Sequence, residues 1–228
     1  MITLTPEIST TPLARTDSGG PVAEQYYSLV QWLRAVGNMS GVTPKSVGIT
    51  SCTVGAGVST VAANLALAAA RTTDQQVLFL DLSTTQSAVA TRFAMHGDLG
   101  LGDAVNDPAN ARDFVKPSPI SNLSVLAANL PGRQQPLNVD SAKINQLLQS
   151  LESEFSLIVV DLPTIESSLC FVASGLLNGV LLVMEAERTR SEIAARAKQR
   201  LLDAGASILG VILNKHPQHL PNWLEARI

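Results

Sequence analysis

The residues whose types and spacing could do chemistry are concentrated in one glycine-rich segment, 51–60, which reads SCTVGAGVST. An apolar stretch typical of a strand precedes it, and a small-residue stretch typical of a helix follows it at 61–70. A strand, a glycine-rich turn, a Ser-Thr pair and a helix are the context of a phosphate-binding loop. Such a loop normally places a lysine directly before the Ser-Thr pair, but Val58 occupies that position. The sequence therefore predicts a phosphate loop that lacks its main positive charge.

The other positions of the loop keep the residue types that phosphate binding needs. Gly55 and Gly57 allow close approach of the backbone to a ligand and unusual dihedral angles. Ser59, followed by Thr60, keeps the hydroxyl that would ligate Mg²⁺. The side chain of Val58 cannot replace an ammonium group, and loss of one preorganised charge-stabilising donor typically costs on the order of 10²- to 10³-fold in rate. The pattern leaves two interpretations open: a loop that still binds nucleotide, and a turn that is now only structural.

Two carboxylates stand at the ends of predicted strands. Asp81 ends the apolar stretch 76–80, and Asp161 ends the apolar stretch 156–160. Asp161 fits a strand-end aspartate that holds Mg²⁺ through water, or one that only caps its loop. Asp81 could orient or activate a water or a substrate hydroxyl, or it could have a purely structural role. Because ligand sites lie at the carboxyl ends of parallel strands, the loop and both aspartates are predicted to share one site.

The elements that must position these residues alternate between strands and helices. This alternation predicts a three-layer, doubly wound α/β fold with a mostly parallel sheet. The apolar stripe of the first helix either docks on the core or forms a subunit interface. The domain is predicted to span 21–215, between a flexible tail at 1–20 and a second tail at 216–228. The predicted strands are 46–51, 76–81, 122–127, 156–161, 179–184 and 207–213, the predicted helices are 21–36, 61–71, 87–93, 101–105, 140–154, 165–177 and 189–204, and loops are predicted at 37–45, 97–100 and 128–139.

Composition narrows the class of protein. The chain has 228 residues, a hydrophobic content of 46% and a net charge of -3, so nothing in its charge favours nucleic-acid binding. Cys52 and Cys170 are far apart and do not form a disulfide framework. His216 and His219 flank a proline without a third candidate ligand, which argues against a metal site. No apolar run reaches the roughly 20 residues of a membrane span, so we expect a cytoplasmic protein.

At these motifs the chain resembles the cytoplasmic domain of bacterial tyrosine kinases (BY-kinases), a Min/Par-like P-loop family of capsule and exopolysaccharide biosynthesis. The resemblance covers about residues 21–215. It implies that ATP or ADP with Mg²⁺ is the cofactor, that Ser59 and Asp161 hold the metal, and that Asn214 faces the adenine base. The matching segments are Pro21-Val22-Ala23-Glu24, the loop with its strand at 49–60, the strand and its end at 77–83, Asp161-Leu162-Pro163, and Gly210-Val211-Ile212-Leu213-Asn214-Lys215.

The departures from the family pattern all affect residues that the family uses for its kinase activity, its assembly into oligomers or its own phosphorylation. Besides the loop lysine, the second aspartate of the family's Asp-x-Asp pair is replaced, here by Ser83. The two arginines of its Glu-x-x-Arg-x-x-Arg oligomer motif are Tyr27 and Val30, and only Glu24 remains. No tyrosine follows Tyr27, so the tyrosine-rich tail that the family phosphorylates is absent from this sequence.

These departures favour a catalytically degenerate protein that acts as a regulatory or scaffold component of exopolysaccharide or capsule biosynthesis or export, without requiring a cofactor. Its expected partner is the cytoplasmic part of a membrane polysaccharide chain-length or export protein, which would bring it to the inner membrane, and homo-oligomers are possible. Two alternatives stay open. One is an active ATPase or protein tyrosine kinase with a non-standard phosphate loop. The other, less favoured, is a partitioning-type ATPase, which the acidic composition argues against because no nucleic-acid partner is expected.

Overall fold

The computed structural model of the protein describes residues 2–3, 21–41, 43–83, 100–127 and 140–215. Strands and helices alternate along these residues, as the sequence predicts. The strands are β1 (Ile2–Thr3), β2 (Ser46–Ser51), β3 (Val77–Asp81), β4 (Lys116–Pro117), β5 (Leu123–Leu126), β6 (Leu157–Asp161), β7 (Gly179–Glu185) and β8 (Ile208–Asn214). The helices are α1 (Pro21–Ser40), α2 (Val58–Thr72), α3 (Leu101–Asn106), α4 (Ser141–Glu152), α5 (Ser168–Ser174) and α6 (Ser191–Asp203), with a 3₁₀ helix at Pro108–Phe114.

Within the described residues the eight strands form one sheet in the order β1-β8-β7-β2-β6-β3-β5-β4. All neighbouring pairs are parallel except the antiparallel pair β4 and β5. Strand β2 lies inside the sheet, between β6 and β7, and every one of its residues is buried. The glycine-rich segment therefore leaves the sheet from an interior strand, at the edge where ligands of doubly wound folds bind.

Helices cover both faces of the sheet, because alternate residues of each strand point to opposite sides. Helices α1 and α2 pack on one face against residues such as Ile49 and Phe79. Helices α3, α4, α5 and α6 pack on the other face against residues such as Leu80 and Val160. This three-layer, doubly wound arrangement confirms the predicted fold class.

The first helix docks on the core, which was one of the two interpretations of its apolar stripe. Tyr26, Leu29 and Leu33 are buried against α2 and the sheet. The ring of Trp32 reaches across to Gly210 of β8, where an added Cβ would lie 3.5 Å from it. The helix also runs to Ser40, four residues beyond the predicted end. The docked stripe fixes α1 beside α2, the helix that follows the glycine-rich loop.

Most helices and strands begin and end within a few residues of the bounds predicted from local sequence signals. The Asp140 side chain caps α4 by accepting a hydrogen bond from the Ala142 N–H at 2.9 Å, as its residue type predicts. Three short elements were not predicted: β1 within the expected N-terminal tail, the 3₁₀ helix, and β4. Two-residue strands carry too few positions for a period to be visible. The predictions for 4–20, 87–93, 128–139 and 216–228, with His216 and His219, lie outside the described residues.

None of the helices in the described part of the chain combines the length and the apolar character that crossing a membrane requires.

Candidate functional site

The glycine-rich loop connects the carboxyl end of β2 to α2. Gly55 and Gly57 have φ angles of 84° and 95°, a backbone region that favours glycine. Helix α2 begins directly after Gly57, whose carbonyl accepts the Val61 N–H at 2.9 Å. The N-terminus of this 15-residue helix therefore opens onto the loop, and its unpaired N–H groups and dipole favour an anion there.

Val58 is the first residue of α2, and its side chain packs against the apolar layer between the helix and the sheet. It thus fills the position of the expected lysine with an apolar group that contacts the core. Val54, at the other end of the loop, is 86% exposed. Neither residue offers the loop a positive charge.

A cleft of about 310 Å³ lies over the loop at this edge of the sheet. Hydroxyl groups dominate its polar lining, and Asp161 is the one acidic or basic residue among the described residues that line it. No lysine, arginine or histidine of the described ranges belongs to the lining. The full set is Ser51, Thr53, Val54, Gly55, Gly57, Val58, Ser59, Thr60, Ser83, Asp161, Leu162, Pro163 and Thr164.

Asp161 lies at the bottom of the cleft, only 1% exposed. Burial raises the pKa of its carboxyl group to about 8; the nearby charge of Asp81 also raises this pKa, and the Ser59 hydroxyl lowers it in part. Neither carboxylate oxygen has a hydrogen-bond partner of good geometry within the described part of the chain. A buried carboxylate without a partner is costly to a fold and marks a position kept for a ligand or a proton.

Asp81 stands beside Asp161, since the two residues are direct neighbours across β3 and β6. Its Oδ1 atom accepts hydrogen bonds from the Ser83 N–H at 2.8 Å and from the Ser83 hydroxyl at 2.5 Å. Ser83, not Asp81, lines the cleft. Asp81 is therefore engaged in a local turn, and Ser83, whose hydroxyl donates to it, is the residue of this turn that lines the cleft.

Asn214 ends β8 and approaches the loop from the neighbouring side. Its Nδ2 atom donates a hydrogen bond to the Ala56 carbonyl at 2.8 Å, and the residue is 2% exposed. Asn214 is not part of the cleft lining. The side chain that the resemblance places toward an adenine base thus also contacts the backbone of the loop.

The structure thus gathers most of the predicted site residues at one edge of the sheet. Gly55, Gly57, Val58, Ser59, Thr60 and Asp161 line one cleft, while Asp81 and Asn214 support it from behind. Sequence reasoning missed the roles of Ser83 and Thr164. The Asp-x-Ser spacing of 81 and 83 is a typical Asx-turn pattern and could have indicated the first. Thr164 follows Asp161 by three residues, so the predicted strand end could have indicated its place in the lining.

The oligomer motif of the resemblance is changed on α1. Val30 is buried in the core of this chain, and Tyr27 packs against the same apolar layer. Glu24 remains on the exposed side of the helix. Two positions that carry arginines in the family motif therefore contribute here to packing within the chain.

Comparisons with known structures first define the fold. The chimerical protein CapA2B2 superposes with a TM-score of 0.79 at 22% identity, covering 94% of this chain and 93% of that one. The kinase domain of Escherichia coli tyrosine kinase ETK gives 0.75 at 22% identity, over 88% and 78%. The septum site-determining protein MinD of Pyrococcus horikoshii, solved with Mg-ADP, gives 0.64 at 21% identity, over 80% and 76%. The fold is that of the P-loop NTPases, and of their bacterial kinase members.

Comparisons with curated sequences then give the family. No protein-family model matches the chain. Tyrosine-protein kinase YwqD of Bacillus subtilis is 30% identical over 75% of this chain and 72% of its own length. Tyrosine-protein kinase CpsD of Streptococcus agalactiae serotype III is 26% identical over 84% and 82%. The chain belongs to the bacterial tyrosine kinase (BY-kinase) family, whose members act in capsule and exopolysaccharide biosynthesis.

Proposed function

We propose that this chain is a catalytically degenerate BY-kinase that works as a regulatory or scaffold component of exopolysaccharide or capsule biosynthesis or export. The observation that carries the proposal is Val58 at the start of α2, above a cleft whose described lining contains no cation. A nucleotide brings several negative charges into such a cleft. Without a basic side chain, only the helix N-terminus and a bound metal would offset them.

The residues present fit a magnesium-bound phosphate in part. The partnerless carboxylate of Asp161 and the hydroxyl of Ser59 are hard oxygen ligands of the kind that Mg²⁺ takes. Gly55 and Gly57 keep the backbone geometry of the cradle. When bound, Mg²⁺ supplies charge neutralisation for the phosphates. The chain's own residues would hold the metal, and the backbone of the loop would contact the phosphate. None of the described lining residues replaces the lysine.

Calorimetry with Mg-ATP and Mg-ADP tests this proposal on the wild type, on Val58→Lys and on Val58→Met, the matched control of similar length without charge. We expect no measurable heat for the wild type and for Val58→Met, and binding for Val58→Lys. Micromolar Mg-ATP affinity of the wild type would contradict the degenerate site.

The proposal also names a protein partner and a location in the cell. We propose that the protein binds the cytoplasmic part of a membrane polysaccharide chain-length or export protein, and so works in the cytoplasm at the inner membrane. Its resemblance to capsule kinases and the burial of Val30, which changes the family's oligomer surface, support a role that depends on a partner. Co-purification from membranes with the chain-length protein, lost when that protein is deleted, is the expected result; equal recovery in the soluble fraction would contradict it.

A second function is an active ATPase or tyrosine kinase with a non-standard loop. The observation in its favour is the retained pair of Asp81 and Asp161, in register at the same edge as Ser59. A carboxylate at Asp81 could orient a water or a substrate hydroxyl. Phosphate release by the wild type that disappears in Asp81→Asn would favour this function. Absence of turnover, even with the membrane partner present, would exclude it.

A further inference from the structure

The side chain of Asn214 lies against the backbone of the glycine-rich loop. We propose that Asn214 is a positioning residue that holds the Ala56–Gly57 segment, and with it the first N–H groups of α2, in the shape that cradles phosphate. This inference rests on the proposed function only in treating the loop as the ligand site. It assigns to Asn214 a role toward phosphate that acts through the backbone of the loop.

Asn214 is itself held firmly. It is the last residue of β8 and pairs with Glu185 of β7. Its main-chain carbonyl accepts the Ala186 N–H at 2.9 Å. The backbone that carries the amide therefore belongs to the sheet, and the sheet can impose a position on a flexible loop.

The contact with the loop is buried and tight. Asn214 Nδ2 donates to the Ala56 carbonyl across 158 residues of sequence, and Ala56 is only 1% exposed. A Cβ atom added at Gly57 would collide with the same Nδ2 atom. Gly57 is thus needed for its left-handed φ and also because Asn214 occupies the adjoining space. Since Gly57 directly precedes α2, fixing its peptide also fixes the direction of the helix N–H groups.

The contact with Ala56 uses only part of the hydrogen-bonding capacity of the amide. One N–H of Nδ2 donates to the Ala56 carbonyl, and the Oδ1 atom is buried without a hydrogen-bond partner among the residues that the structure describes. The residue does not line the cleft. Because a carboxamide has two N–H donors and one acceptor oxygen, the loop contact is separable from any contact with a base and has to be tested on its own.

Hydrogen exchange of the amide that donates to the loop, read by NMR, tests the proposal on otherwise wild-type protein. Asn214→Ala should accelerate exchange at Val61, whose N–H donates to the Gly57 carbonyl of the loop at 2.9 Å, about five- to tenfold, the effect of one lost hydrogen bond. The matched control is Asn178→Ala, because Asn178 Oδ1 accepts the Lys45 and Ser46 N–H groups at the opposite end of β2. In the control variant, the exchange rate of the Val61 amide should change no more than the rates of amides that exchange through global unfolding. Equal effects on this amide in both variants, or none in Asn214→Ala, would overturn the proposal.

A double-mutant cycle provides a second readout. The backbone strain of Gly57→Ala is the same whether residue 214 is Asn or Ala. A deviation from additivity therefore reports the contact between the added methyl group and the Asn214 side chain. We expect Gly57→Ala to lower the melting temperature less in Asn214→Ala than in the wild type. Strict additivity would contradict the contact.

Base selectivity in the Val58→Lys background separates positioning from base reading. With Asn214→Ala added, affinities for Mg-ADP, Mg-GDP and pyrophosphate should fall by the same factor. A loss confined to Mg-ADP would overturn the positioning role. Failure of Val58→Lys to bind any of the three would count against the proposed function, while the exchange measurement would still decide the role of Asn214.

Discussion

The two ends of strand β2 differ in whether the buried polar groups around them have hydrogen-bond partners. At the amino end, Asn178 accepts the N–H groups of Lys45 and Ser46, and its own N–H donates to the Ser46 hydroxyl. The Ser46 hydroxyl in turn donates to Glu152 at 2.6 Å, and the Lys45 ammonium donates to the Glu152 carbonyl. This network ties β2, β7 and α4 together, and its buried groups are satisfied within the chain.

At the carboxyl end, some buried polar groups lack partners, although the Thr50 and Ser51 hydroxyls donate to backbone carbonyls. Both carboxylate oxygens of Asp161 and the Oδ1 atom of Asn214 have no hydrogen bond within the described residues. Folding alone would not retain such groups, because each costs about 1–3 kcal/mol. The difference indicates that the amino end is built for stability and that the carboxyl end keeps features of a ligand site even though Val58 has removed its charge.

Asp161→Asn should change stability most. The pKa of Asp161 is raised to about 8 in the folded protein, above its value in the unfolded chain. The folded state therefore binds one more proton between about pH 4 and pH 8, and the wild type should lose on the order of 5 kcal/mol of unfolding free energy as pH rises through that window. The asparagine variant should lack this loss and be more stable than the wild type at pH 8.5, measured by urea denaturation.

The control for this experiment is Asp74→Asn, which removes an exposed carboxylate. It should reproduce the pH profile of the wild type. Parallel profiles for wild type and Asp161→Asn would show that Asp161 is not held in the buried, partnerless state described above.

Asn178→Ala tests the amino end of β2, where the polar groups are hydrogen-bonded. It should lower the unfolding free energy by about 2–4 kcal/mol, because two backbone N–H groups lose their acceptor. Asn110→Ala is the matched control, since the Asn110 side chain makes only a surface bond to Asp107; its effect should stay within about 0.5 kcal/mol. Similar effects of the two changes would remove the distinction between the ends of β2.

Ser83→Ala should have the smallest effect, about 1 kcal/mol of unfolding free energy. The Asp81 carboxylate would lose the hydroxyl of Ser83 but keep its N–H. Ser153→Ala, which removes an exposed hydroxyl, serves as the control and should be close to neutral. A gain in stability from Ser83→Ala would show that the Ser83 hydroxyl does not support Asp81.

Local patterns of the sequence predicted much of the fold and the site. Alternating apolar stretches predicted the sheet, and the strand-end positions of Asp81 and Asp161 predicted that both lie at the edge of the loop. The contact between Asn214 and Ala56 could not be predicted, because it depends on the path of β8, 158 residues away. The engagement of Asp81 by Ser83 was also missed, because the resemblance drew attention to the lost aspartate and away from the hydroxyl that replaced it.

The most direct test of the degenerate site is a calorimetric titration of Mg-ADP into the wild type and Val58→Lys, with Val58→Met as the control. A lysine at the start of α2 would place its ammonium beside the loop and beside Asp161 in the same cleft. We expect no binding by wild type and by Val58→Met, and at least a hundredfold gain, about 3 kcal/mol, for the lysine variant. Equal affinity of wild type and Val58→Lys would contradict it.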